Sequence, residues 1–207
     1  MSTNIPESTK KRKLEETHEN NLKISRMNLK DKFSNFETTL YEKSNTLLFE
    51  VNKNPKYFKR YGRGRVVKVR FGVNEGSEFS GDHFAIVISK KDTAYNPVLH
   101  VIPLSSKEHK RCVNVGNALI LDEEIENLKK MYTNENNYSK KNKIKKCLKY
   151  YSNRDTVESF ALIEHMKTIS KLSIKPPINE YDYINKIRIS EEILREIDRK
   201  IIEEFTK

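Results

Sequence analysis

The apolar positions of the chain change period twice. From Phe33 to Val51 they recur at three- and four-residue steps (Phe33, Phe36, Leu40, Leu47, Leu48 and Val51), which predicts an amphipathic helix with one face to cover. "NKNPKYFKRYGRG", residues 52–64, breaks that pattern and reads as a linker. Beyond it "RVVKVRF" alternates and places Val67, Val69 and Phe71 on one side, the period of a strand. "HFAIVIS" and "PVLHVIPL" are continuous apolar runs of strand length, and "NVGNALIL" and "SFALIE" bring the expected strands to about five. Short strands at this spacing predict a small, partly closed antiparallel barrel. Pro103 is expected near the end of its strand, at an edge or bulge that tolerates the missing donor.

The flanks follow other rules. Residues 1–26 are polar and charged with few large apolar groups, so a disordered basic tail is expected, followed by a helical extension over 27–60. Residues 122–152 read as a basic helical insertion within a unit spanning 61–207. Ser190 before Glu191 and Glu192 predicts an N-cap with an acidic first turn. The stripe Ile193, Leu194, Ile197, Ile201 and Phe205 then predicts a closing helix. The fold class expected is α+β, and no internal repeat is visible.

Composition narrows the function classes. Of 207 residues, 36% are apolar and 33% charged, which suits one domain with an appendage. No run of eighteen apolar residues and no apolar segment after Met1 occur, so neither a spanning helix nor a secretory signal is expected. Cys112 and Cys147 lack partners at metal-ligand spacing, so a cytoplasmic protein with no metal and no other cofactor is the expectation. The net charge of +11 favours phosphate-bearing partners. Much of it lies between Lys129 and Arg154, where Lys129, Lys130, Lys140, Lys141, Lys143, Lys145, Lys146 and Lys149 are opposed only by Glu135. Tyr132, Tyr138, Tyr150 and Tyr151 in that segment offer faces for base stacking. A solvated lysine-rich helix accounts for the same residues equally well.

The chemistry is concentrated in "FGVNEGSEFSGDHFAIVIS", residues 71–89, which holds three of the chain's six glycines. His83 stands where this polar loop meets an apolar strand, and Ser105 ends a nearby apolar segment. RNA cleavage needs no cofactor. A base takes the 2′-hydroxyl proton, an acid protonates the leaving 5′-oxygen, and donors stabilise the phosphorane. Histidine transfers protons near neutral pH. Gly76 and Gly81 are read first as turn residues.

Four blocks, "GRGRVVKVRFGVNEGSE", "SGDHFAIVIS", "VLHVIPLSS" and "RDTVESFALIEHMKTISK", occur in the order of the MazF/PemK toxin endoribonucleases, which this sequence resembles over residues 63–121 and 153–172. The resemblance implies an SH3-like, partly open antiparallel barrel of MazF/CcdB type with a terminal helix. It implies a homodimer that cuts single-stranded RNA without metal, leaving 2′,3′-cyclic phosphate and 5′-hydroxyl ends, and a cognate antitoxin as partner. The family's Gly-x-Arg-Pro is Gly81-Asp82-His83-Phe84 here, so His83 falls at the catalytic Arg position. Ser105 falls at the catalytic Ser/Thr position, and Glu78 matches the loop glutamate. Because His lacks the permanent charge and fork of Arg, Arg63, Arg65 or Arg70 is expected to replace them. RNA contacts are expected from those arginines, from Ser77, Ser106, Lys107 and Lys167, and from Lys140, Lys141, Lys143, Lys145 and Lys146. His165 is either RNA-facing or structural, and Ser77 and Glu78 are equally readable as turn and cap residues. Two other classes stay open: a catalytically silent nucleic-acid-binding module, and a CcdB-like gyrase poison. The poison branch ends in a Trp-Gly-Ile tail, whereas this chain ends "IIEEFTK" and has no Trp.

Overall fold

The computed structural model describes residues 5–27, 29–117, 122–152 and 158–206. Over these residues the chain is α+β. Helices α1 (Glu7–Arg26) and α2 (Phe36–Lys53) precede β1 (Val66–Gly72), β2 (Gly81–Val87), β3 (Val98–Ser105) and β4 (Cys112–Asn114). Helices α3 (Asp122–Asn134) and α4 (Tyr138–Ser152) follow, then β5 (Phe160–Leu162), β6 (Lys167–Ser170) and α5 (Glu191–Phe205). The six strands form one antiparallel sheet in the order β1-β2-β3-β5-β4, with β6 also on β3, and the sheet is not closed.

The strand β3 organises this sheet by changing partner along its length. Val98–Val101 pair with β6, whereas Leu104 and Ser105 pair with β5. Pro103 falls in the gap between the two partners, so its missing N–H leaves no ladder bond unmade there. The proline therefore sits inside a central strand, not at an edge.

The apolar runs of β2 and β3 are continuous because both sheet faces are buried. One face packs Val67, Val69 and Phe71 with Ala85, Val87, Leu99, Val101 and Ile169. The other packs Val66, Phe84, Ile86, Ile102 and Leu104 under Leu128 of α3, Ile144, Cys147 and Tyr151 of α4, and Leu194 and Ile197 of α5. The free edge of β1 is blunted by single bridges, Val69 to Ile174 and Arg65 to Arg188. The chain after β6 thus curls back toward β1 without closing the sheet.

Three expectations change. The segment expected to be disordered is helical over Glu7–Arg26, although none of its residues is buried. Lys- and Glu-rich sequence without Gly or Pro is a good helix former, and the pairs Lys10–Glu7, Lys11–Glu15 and Arg12–Glu16 support it locally. The helix expected from Phe33 begins at Phe36, and Phe36 is its one buried residue, while Leu47, Leu48 and Val51 stay exposed. The strand expected over 114–121 is β4 at Cys112–Asn114, residues 118–121 lying outside the described residues, and β6 is an additional strand. The N-cap expectation agrees with the structure, since the Ser190 hydroxyl accepts the Ile193 N–H at 3.4 Å.

Candidate functional site

The loop from Gly72 to Gly81 is shaped by its own polar groups. The Asn74 side chain donates to the carbonyls of Phe71 (3.1 Å) and Phe79 (2.7 Å), and its N–H donates to the Ser80 hydroxyl (3.0 Å). The loop ends at Gly81, whose φ of +90° is strained for any residue with a side chain. A Cβ there would also lie 3.4 Å from Nε2 of His83. Gly81 therefore makes the turn and leaves room for the imidazole to fold back over it.

His83, opposite Val69 in the β1–β2 ladder, borders a cavity of about 620 Å³. Its ring lies 4.4 Å from that of Phe79, which in turn lies 5.4 Å from the ring of His165. Burial pushes the His83 pKa below the usual histidine value, with the Lys68 charge adding to the effect. The carbonyls of Leu104 and Ser80 and the charge of Asp82 oppose this but do not reverse it. His83 is thus a partly enclosed imidazole that favours its neutral form.

β2 and β3 are paired neighbours, but the Ser105 hydroxyl does not join His83 at the cavity. The β2–β3 ladder ends at Ala85 opposite Pro103, two residues short of both His83 and Ser105, and Ser105 pairs instead with Phe160 of β5. The Ser105 hydroxyl accepts the Lys107 N–H at 3.0 Å and does not line the cavity. Ser106 and Lys107 are exposed beyond it. Ser77, Glu78 and His165 do line the cavity. The carboxylate of Glu78 lies 3.8 Å from Nζ of Lys167, and Nε2 of His165 lies 3.8 Å from Glu164.

None of the three arginines lines the cavity. Arg63 donates to the Ile88 carbonyl and pairs with Asp198 of α5, tying that helix to the sheet. Arg65 pairs through its backbone with Arg188. Arg70 donates from Nη1 to Glu42 (3.0 Å) and from Nη2 to the Thr46 hydroxyl (2.6 Å), both on α2. The lysines of α4 do not line it either: Lys143 pairs with Glu180 at 2.9 Å, Lys141 lies over the Tyr132 ring at 5.0 Å, and Lys140, Lys145 and Lys146 are exposed. Tyr151 is not a stacking face for bases. It is 1% exposed and donates to Asp182 at 2.5 Å, and burial together with that carboxylate raises its pKa far above the ordinary tyrosine value. Arg154 lies outside the described residues.

Several residues of the site carried no signal in the sequence. The wall facing His83 is built by the N-terminal extension, from Asp31 through Glu42, and His109 contributes from the loop before β4. Nζ of Lys32 donates to the carbonyls of Asn74 and Gly76, at 2.8 Å each, and pins the extension to the glycine loop. Lys175 links Glu42 (3.0 Å) to Asp82 (2.6 Å), the residue beside His83. Among the described residues no group of three or more His, Cys, Asp or Glu side chains is placed to hold a metal ion. No described helix is long and apolar enough to cross a membrane. No protein-family model and no curated protein matches the chain.

Proposed function

We propose that the chain is a metal-independent endoribonuclease of the MazF/PemK kind, built on an open SH3-like barrel. The observation that carries this reading is His83, a pKa-lowered imidazole bordering a cavity where two strands end. Neutral His83 takes the proton of a ribose 2′-hydroxyl. O2′ then bonds to phosphorus, the P–O5′ bond breaks, and O5′ takes back the proton from the His83 imidazolium. The products are a 2′,3′-cyclic phosphate and a 5′-hydroxyl, with no water or metal consumed. Glu78 and Lys167 order the loop beside this path. A homodimer in the cytoplasm, held in check by an antitoxin, belongs to the same reading. The absence of Arg63, Arg65 and Arg70 from the cavity lining favours one rival, a module that binds RNA without cutting it.

The deciding experiment is cleavage of a long single-stranded RNA in EDTA by wild type and His83→Ala, with end-group analysis of the products. Cyclic phosphate ends from wild type, reduced at least about 100-fold in the variant, are expected. Equal cleavage by both removes His83 from the mechanism. Binding without cleavage by either leaves the binding module.

A further inference from the structure

We infer that Arg70 and Lys175 form a binding site for a backbone phosphate of single-stranded RNA, occupied here by the carboxylate of Glu42. The inference rests on the nucleic-acid reading above and adds a site that neither the loop nor the basic helix provides. One carboxylate receives three contacts from two cations: Arg70 Nη1 at 3.0 Å, and Lys175 Nζ at 3.0 Å and 3.1 Å from its two oxygens. Burial opposes the charge on Glu42, but the bonds from Arg70 and Lys175 prevail and hold its pKa below the usual glutamate value. A pair of non-bridging phosphate oxygens presents the same acceptors to the same donors.

The cations and the anion come from different parts of the molecule. Arg70 belongs to β1, and Lys175 is fixed by its backbone N–H on the Lys68 carbonyl at 2.8 Å. Glu42 belongs to α2, whose one buried residue is Phe36. Its neighbour α1 buries none. The sheet keeps its cations whatever α2 does, so the carboxylate is the exchangeable member. Charge supports the exchange. Arg70 and Lys175 now face two carboxylates, Glu42 and Asp82, in a balanced set. When Glu42 leaves, one positive charge is uncovered, which a phosphodiester with its single negative charge neutralises.

Position supports it as well. Arg70 lies opposite Asp82 in the ladder, one residue from the His83–Val69 pair, and Glu42 itself lines the His83 cavity. A strand of RNA with one phosphate at His83 runs toward the place that Glu42 holds. The N-terminal extension is therefore a substrate mimic as well as a wall.

The test reads binding apart from cleavage, using the full chain and a fluorescent RNA methylated at every 2′-hydroxyl. Its anisotropy is followed with wild type, Glu42→Gln, Arg70→Gln and the double variant. Glu42→Gln is expected to tighten binding about tenfold, the factor lost when a site is open one time in ten. Adding Arg70→Gln is expected to abolish the gain. No gain in Glu42→Gln, or a gain that survives in the double variant, overturns the inference. A second measurement needs no variant: the methylated RNA, by displacing Glu42, should speed proteolysis within residues 54–60 of the wild type, and unchanged or slower cutting counts against it. A gain without any cleavage of ordinary RNA retains the phosphate site and removes the ribonuclease.

Discussion

Two ion-paired clusters tie the first part of the chain to the sheet, and they differ mainly in their access to water. At the base of the extension, Lys171 and Asp92 are each 2% exposed in their side chains, with Nζ 2.7 Å and 2.8 Å from the two carboxylate oxygens. Lys171 also donates to the Thr93 carbonyl, and Asp92 receives the Tyr61 N–H at 2.8 Å, so the linker residue is held too. Near the cavity, Glu42, Arg70 and Lys175 are 29%, 13% and 25% exposed. The Coulomb attraction is similar in kind. In the first cluster the medium excludes any substitute partner, so losing one ion strands the other. In the second, water and anions reach the partners, so the contact is exchangeable and screened by salt.

The largest effect expected is from Lys171→Met, which leaves the Asp92 charge buried. It should cost about 3–5 kcal/mol and lower the melting temperature by roughly 2–4 °C for each kcal/mol. Calorimetry measures this, and adding Asp92→Leu should restore much of the loss. A single variant that melts within a degree of wild type would remove the contrast between the clusters. Glu42→Gln is expected to change stability by no more than about 1 kcal/mol, after discounting for its exposure. Its denaturation midpoint should barely move while its RNA affinity rises. A drop as large as that from Lys171→Met would mean that Glu42 is structural and that its contact with Arg70 and Lys175 does not open.

The reach of the sequence follows from how local each signal is. Strands β1 to β3 were legible because alternation and continuous apolar runs are properties of neighbouring residues. The same holds for α5, with Ser190 at its start. Helix α1 was not, since a composition too polar to bury a core says nothing against local helix propensity. Tyr151 had a readable signal that its lysine-rich setting obscured: Ile144, Cys147 and Tyr151 recur at three- and four-residue steps, and these are the buried residues of α4. His83 was legible as a histidine between a glycine loop and an apolar strand. Its surroundings were not. Glu42, Arg70, Asp82 and Lys175 are brought together by the curl of the sheet and the return of α2 across it, which no sequence window contains.

The smallest effect expected is a titration, and it connects the exchangeable cluster to the chemistry. Burial lowers the His83 pKa, so the folded chain binds this proton less readily than the unfolded chain does. The stability due to neutral His83 is therefore fully present above the unfolded value of about 6.5. It is lost as pH falls through the lower folded value. Denaturation series from pH 8 to pH 5 should show this acid limb in wild type and lack it in His83→Gln. Cleavage that uses the same neutral imidazole should fall only below pH of about 6.5. Lys175→Gln sharpens the test, because it uncovers the charge of Asp82, which raises the His83 pKa. Both limbs should then move to higher pH together. If the cleavage limb moves and the stability limb stays, the group that titrates in catalysis is not His83.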